Sequence, residues 1–342
     1  MSMKIGIFTI FDAYNYGSFL QAYAMQSFLE RRGHHVYVID IRNNLKSVIV
    51  QKYLSKSISR TILKLRRWRV YHKDWARLNV VSLRSCPELD LAVIGSDEVW
   101  NIENPSFSHA LQYYGLDINA KRTIAYAPSL GYSTEKSYFS RKDLQNGIVR
   151  HISWIGARDE FTRRFAESIG HSDIDMVCDP TLLLNGTWNK LEELYPVSEP
   201  FMIYYSYQED TPFKDYIRRF AAEQNLKLIS VGFDYKWCDR QLIVSPRQFL
   251  SLLSQASYVV TSTFHGTVFS TLYNKNFVQI HPARKAVDYL TQLGINRAVN
   301  HDDGYDAFIR MLLKPVDYNL LNRGIKLWSE KSASLLVSKT GI

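Results

Sequence analysis

The sequence predicts an α/β fold of two Rossmann-like, doubly wound halves facing a cleft, and three observations carry that prediction. Short β-branched runs alternate with helix-like stretches from the first residues onward. The alternation lapses around residues 185–200, where Pro196 and Pro200 bound a polar stretch, and a second alternating series then begins. Such alternation is the signature of parallel sheets covered by helices on both faces. A length of 342 residues suits two units of ~150 residues each. They are expected at 1–190 and 200–315, with a helical tail at 316–342.

Residues 4–10 form the first strand. Turn formers fill 12–18, and apolar spacing at Phe19, Tyr23, Met25 and Leu29 makes 19–32 a helix that Gly33 ends. A second strand covers 36–40, and strand-like runs recur at 90–94, 123–127, 152–157 and 175–178. In the second half, strands at Phe201–Tyr205, Lys227–Val231, Tyr258–Thr261 and 277–280 alternate with helices at 212–225, at Pro246–Gln255, after His265, and at 284–293.

Composition narrows the function. With 46% apolar and 22% charged residues the chain is globular. No apolar run approaches the ~20 residues of a membrane span, and a strand starting at Lys4 leaves no room for a leader peptide. Cys86, Cys178 and Cys238 lie far apart without CxxC spacing, which points to reduced thiols in the cytoplasm. The nine histidines show neither HxxxH nor HExxH spacing, so no metal is expected.

The net charge of +9 is local. Residues 42–86 carry twelve Lys/Arg against one acid, Asp74, a net of +11, which leaves the other 297 residues at −2. A nucleic-acid binder would spread its cations over its contact faces, so nucleic acid is not an expected partner. Lys52, Lys56, Arg60 and Lys64 recur every four residues, as do Leu54, Ile58 and Ile62, and the two sets are offset by ~200° on a helix. Two readings follow. Residues 46–69 lie on an anionic membrane at its inner face, or the apolar stripe packs on the first half while the cations are merely solvated.

In doubly wound sheets, ligands bind beyond the carboxyl ends of the strands, and four loops there carry unusual residues. The first holds Asp12, Asn15, Tyr16, Gly17 and Ser18 ahead of a helix N-terminus that favours an anion, or is an ordinary turn with a Ser cap. The second holds Gly95, Ser96, Asp97, Trp100 and Asn101. Trp100 with Asn101 suits a sugar platform, the alternative being a core tryptophan. The third places Arg158 after a strand, as a planar fork for phosphate or carboxylate or as an ion-pair partner of Asp159 or Glu160. The fourth crowds Thr261, Ser262, Thr263, His265, Gly266 and Thr267 around a helix start. His265 has the intrinsic pKa for proton transfer near neutrality.

Together these loops resemble the polysaccharide pyruvyl transferase family. Asn-Tyr-Gly-Ser-Phe-Leu-Gln-Ala-Tyr-Ala at 15–24 is similar to its N-terminal motif, and Gly-Ser-Asp-Glu-Val-Trp-Asn at 95–101 to a second signature. Ala-Tyr-Ala-Pro-Ser-Leu-Gly at 125–131, Asp-Pro-Thr-Leu-Leu-Leu at 179–184 and Ser-Thr-Phe-His-Gly-Thr at 262–267 complete the series. The matches run in order from residue 4 to about 295.

The resemblance implies a glycosyltransferase-B-like pair of domains. It also implies transfer of the enolpyruvyl carbons of phosphoenolpyruvate onto two hydroxyls of a sugar in a lipid-linked or polymeric glycan, giving a cyclic ketal and phosphate without a cofactor. By motif position His265 is the active-site histidine and Arg158 a donor-binding arginine. Several members carry Arg where this chain has Thr263, so that either another cation substitutes, with Arg284 and Lys285 the candidates, or the donor differs. Ser262, Thr263, Gly266 and Thr267 are then the other donor contacts, and Asp12, Asn15, Tyr16, Gly17, Ser96, Asp97, Trp100 and Asn101 face the acceptor. Two rival readings share the architecture: a nucleotide-sugar glycosyltransferase, disfavoured because Asp288 is the first acid after His265, and a non-catalytic glycan binder.

Overall fold

The computed structural model describes residues 2–42, 58–104 and 110–342. Seven strands form the first sheet in the order β3-β2-β1-β4-β5-β6-β7. They are β1 (Lys4–Phe8), β2 (His35–Asp40), β3 (Val80–Ser82), β4 (Leu91–Ile94), β5 (Thr123–Tyr126), β6 (Ile155–Ala157) and β7 (Ile174–Met176). Six strands form the second, in the order β10-β9-β8-β11-β12-β13: β8 (Phe201–Tyr205), β9 (Lys227–Val231), β10 (Arg240–Leu242), β11 (Tyr258–Thr261), β12 (Asn276–Ile280) and β13 (Ala298–Val299). Every pairing between these strands is parallel.

Both sheets reverse direction beside their first strand, between β1 and β4 and between β8 and β11. Crevices open at such switch points because successive connections leave on opposite faces. β4 and β8 are buried at every residue, and β1 and β11 at all but the first. That burial is what a helix layer on each face imposes.

Helix α1 (Tyr16–Glu30) starts three residues before the apolar spacing begins, because the Asn15 side chain accepts from Gly17 N and caps it. Helix α2 spans Ile58–Trp75, and α3 (Lys142–His151), α4 (Glu160–Ser168) and α5 (Pro180–Leu183) complete the first half. In the second half follow α6 (Lys214–Glu223), α7 (Pro246–Gln255), α8 (Phe264–Leu272), α9 (Arg284–Gln292), α10 (Gly304–Leu313) and α11 (Tyr318–Thr340). α1 packs on α5, α7 and α8, so it is buried all round and touches both halves. The tail helix α11 returns to the first half: Ser332 Oγ accepts from Cys178 N at 2.9 Å, Ser329 Oγ donates to the Leu182 carbonyl, and Lys339 pairs with Asp173.

Of the basic segment, Lys52, Leu54, Lys56 and the Arg60 side chain lie outside the described residues. The remainder shows which way the helix faces. Ile58 is 82% and Ile62 53% exposed, while Tyr71, Asp74 and Trp75 are buried. The reading in which this aliphatic stripe packs on the first half is therefore corrected, since at Ile58 and Ile62 it points outward. No helix among the described residues is long and apolar enough to cross a membrane.

Candidate functional site

The loops leaving β1, β4, β8 and β11 at their carboxyl ends converge on a cavity of about 340 Å³ between the two halves. Asn15, Ser18, Asp97 and Glu98 line it from the first half. Tyr207, Ser262, Thr263, Phe264, His265 and Lys285 line it from the second.

Asp179, three residues beyond the end of β7 and the N-cap of α5, organises the centre. Its Oδ1 accepts from Thr181 N and Oγ1 (3.0 and 2.7 Å), and its Oδ2 accepts from Arg158 Nη1 at 2.8 Å. His265 Nε2 stands 3.7 Å from the same Oδ2. Burial alone would raise this carboxyl, but His265 and Arg158 outweigh it and hold Asp179 well below the usual carboxylate range. Burial likewise opposes the charge on Arg158. Asp179, Asp97 and Asp159 overcome that penalty and keep the guanidinium charged. Arg158 Nε and Nη2 and His265 Nε2 have no hydrogen-bond partner among the described residues.

Two glycines make the packing possible. The Gly17 backbone lies so close to the His265 ring that any Cβ there would overlap the imidazole. At Gly266 a Cβ would overlap the hydroxyls of Thr261 and Thr263. Thr263 caps α8, its Oγ1 accepting from Gly266 N at 2.9 Å. Phe264 carries a cation at each of two approaches, with Arg158 Cζ 4.6 Å and Lys285 Nζ 5.5 Å from its ring centroid. Lys285 Nζ also donates to Glu98 Oε1 at 2.6 Å, an ion pair that ties one wall of the cavity to the other. Burial would raise Glu98, yet Lys285 and the Asn101 amide lower it to about 2.

Among the sequence candidates, Asn15, Asp97, Ser262, Thr263, His265 and Lys285 line the cavity. Others stand elsewhere. Trp100 is a core residue, with no exposed surface and Nε1 donating to the Tyr113 carbonyl, so it offers no sugar platform. Tyr16 is stacked between Tyr71 and Phe249 in the core. Ser96 donates to Gln21 Oε1, and Asn101 bridges Ser133 and Glu98, both fully buried. Asp12 pairs with Arg42 at 2.6 Å.

On the donor side, the amides of Gly266 and Thr267 are already committed to Thr263 Oγ1 and the Thr263 carbonyl, so they are not free to cradle an anion. Arg284 lies over the Phe161 ring, which leaves Lys285 as the cation of that pair lining the cavity. Arg158 pairs with Asp179, not with its neighbours Asp159 or Glu160, and is buried against Phe264 instead of standing at the cleft mouth.

Sequence reasoning assigned no role to Asp179, Glu98, Phe264 or Tyr207. The first three lie inside the quoted motifs, and Tyr207 follows a strand at the ligand edge. That position was its only signal.

Known proteins can be set beside this geometry. No curated protein matches the chain in sequence. Among solved structures, a UDP-N-acetylglucosamine 2-epimerase is similar over 100% of this chain and 97% of its own at 12% identity, with a TM-score of 0.58. The Neisseria meningitidis UDP-GlcNAc 2-epimerase bound to UDP-GlcNAc is similar over 98% of this chain and 99% of its own at 9% identity (TM-score 0.56). Arabidopsis thaliana UGT89C1, complexed with UDP-L-rhamnose, covers both chains fully at 12% identity (TM-score 0.53). At such identities the likeness is one of fold, the glycosyltransferase-B-like pair of Rossmann domains. In sequence, a model of the polysaccharide pyruvyl transferases matches residues 15–280, from the cap of α1 to the last residue of β12. Because that match spans both walls of the cleft, the chain belongs to the polysaccharide pyruvyl transferase family.

Proposed function

We propose that this chain transfers the enolpyruvyl carbons of phosphoenolpyruvate to two hydroxyls of a glycan sugar, forming a cyclic ketal and releasing phosphate. The observation that carries this reading is the buried Arg158–Asp179–His265 cluster, with three unpartnered polar nitrogens beside a cavity that also holds the Lys285 cation. A donor bearing both a carboxylate and a phosphate needs cations and an acid–base group within one small space.

The bonds balance as follows. One sugar oxygen bonds to C2 while a proton reaches C3. The C2–O bond then breaks with its electron pair leaving on phosphate, and the second hydroxyl bonds to C2. Of the two hydroxyl protons released, one balances the new methyl group and the other leaves with phosphate. His265 carries the protons, with the Asp179 carboxylate facing its Nε2 at 3.7 Å. Lys285 exchanges Glu98 for an anionic group of the donor, and Arg158 adds positive charge behind Phe264. Asn15 and Asp97, on the opposite wall, suit the acceptor.

Phosphate release from phosphoenolpyruvate in the presence of candidate glycolipids tests the reading. We expect His265→Ala to reduce turnover by ~10²–10⁴-fold, and near-wild-type turnover in that variant would remove His265 from the mechanism. Thermal-shift titration of the wild type separates the nucleotide-sugar rival: stabilisation by UDP but not by phosphoenolpyruvate sinks the pyruvyl reading. The rival also lacks its acid, since Asp288 is not among the residues lining the cavity.

A further inference from the structure

Helix α2 carries two opposed faces. Its inner face holds Arg67, Tyr71, Asp74 and Trp75, and joins the two halves: Arg67 Nη2 donates to the Gly232 carbonyl at 2.6 Å, and Asp74 Oδ2 accepts from Arg247 N at 3.0 Å. At ~100° per residue, Ile58, Ile62, Leu65, Arg66, Arg69 and Lys73 fall within one arc of about 100° on the other side. All six are exposed, Ile58 at 82%, Ile62 at 53% and Leu65 at 41%. Three large aliphatic side chains in a row on a solvent-facing helix are a cost that an isolated molecule gains nothing from. Residues 42–86 supply no acid to balance the cations beside them on the outer face, because Asp74, the single acid in that stretch, is buried on the inner one.

We infer that the outer face of α2 docks on an anionic lipid bilayer. Ile58, Ile62 and Leu65 enter the boundary between head groups and acyl chains, while Arg66, Arg69 and Lys73 extend along the same face to lipid phosphates. A polynucleotide would reward the cations but not the aliphatics, and an uncharged apolar partner the reverse. The mixture on one arc selects a surface that is anionic outside and apolar just beneath. Docked this way, the membrane lies about one helix diameter, ~10 Å, from the Arg67–Gly232 contact at the carboxyl end of β9. That is the edge of the sheets on which the cavity opens, so a sugar carried on a lipid would arrive close to it. The docking itself does not depend on the pyruvyl chemistry.

The test is flotation of the full chain with vesicles of 30% phosphatidylglycerol in phosphatidylcholine and with pure phosphatidylcholine vesicles. Two variants are compared: Ile58→Ser/Ile62→Ser/Leu65→Ser, and Arg66→Gln/Arg69→Gln/Lys73→Gln. All six sites are exposed, so an unchanged thermal midpoint is expected and serves as the folding control. The wild type should float with the anionic vesicles only, release at high salt, and lose roughly tenfold or more in partition in each variant. Wild type that stays at the bottom overturns the inference, as do variants that float like wild type. So does a wild-type dimer that the serine variant dissolves without any flotation, which would assign the face to a second copy of the chain.

Discussion

At the scale of single residues, the site is a set of mutual constraints around one carboxylate. Asp179→Asn leaves Arg158 buried with its main counter-charge gone, an uncompensated cation that costs ~3–5 kcal/mol. Urea unfolding at neutral pH should show that loss, accompanied by loss of turnover. Because the native carboxyl lies below its ordinary value, its contribution to stability is complete above ~pH 4 and drains only as acid forces the folded form to protonate. Gly17→Ala makes the complementary test. The added methyl must displace the His265 ring, so phosphate release should fall as steeply as in His265→Ala while the circular dichroism of the fold is retained. His265 was legible because a histidine after a strand, at a helix start, sits where ligands bind. Asp179 was not. Its place beside His265 depends on the segment after β7 lying close to the start of α8, a contact across 86 positions that no local pattern encodes.

At the scale of elements, regular segments with strong burial patterns were readable, and β8, β9, β11 and α7 occupy the ranges expected of them. The strands that escaped are β3, β10 and β13, two or three residues each at the sheet edges, too short to show any period. Helix starts were misjudged where a polar cap extends the helix beyond its apolar stripe, as Asn15 does for α1. The α8 cap offers a measurable case. Thr263→Ala removes the acceptor for Gly266 N, and differential scanning calorimetry should register a loss of about 1 kcal/mol. If this residue bound the donor through its hydroxyl alone, the same variant would raise the KM for phosphoenolpyruvate without lowering the melting temperature.

At the scale of the whole molecule, the devices that join the halves include α1 buried between them, the inner face of α2, α11 returning to the first, and the Lys285–Glu98 pair across the cavity. Ser332→Ala leaves the buried Cys178 N–H without its acceptor, and a loss of ~1–3 kcal/mol in chemical unfolding is expected although the substitution lies in the last helix. The Lys285–Glu98 pair should announce itself through pH. Glu98 lies at about 2 in the folded chain and near ~4.3 when free, so the pair stabilises fully above that upper value and fades as pH falls through the lower one. The stability difference between wild type and Glu98→Gln should therefore shrink between roughly pH 5 and pH 2, and a difference independent of pH would show that the pair contributes nothing. The imidazole of His265 belongs to the second half, but the carboxylate that faces it and the glycine that admits it belong to the first. On the proposed chemistry, a hinge motion that widened the cleft would separate the imidazole from both in the same movement that lets product out. Chemistry and exchange would then fall in alternate phases of one cycle, and under that proposal a covalent clamp holding the mouth shut would permit a single turnover.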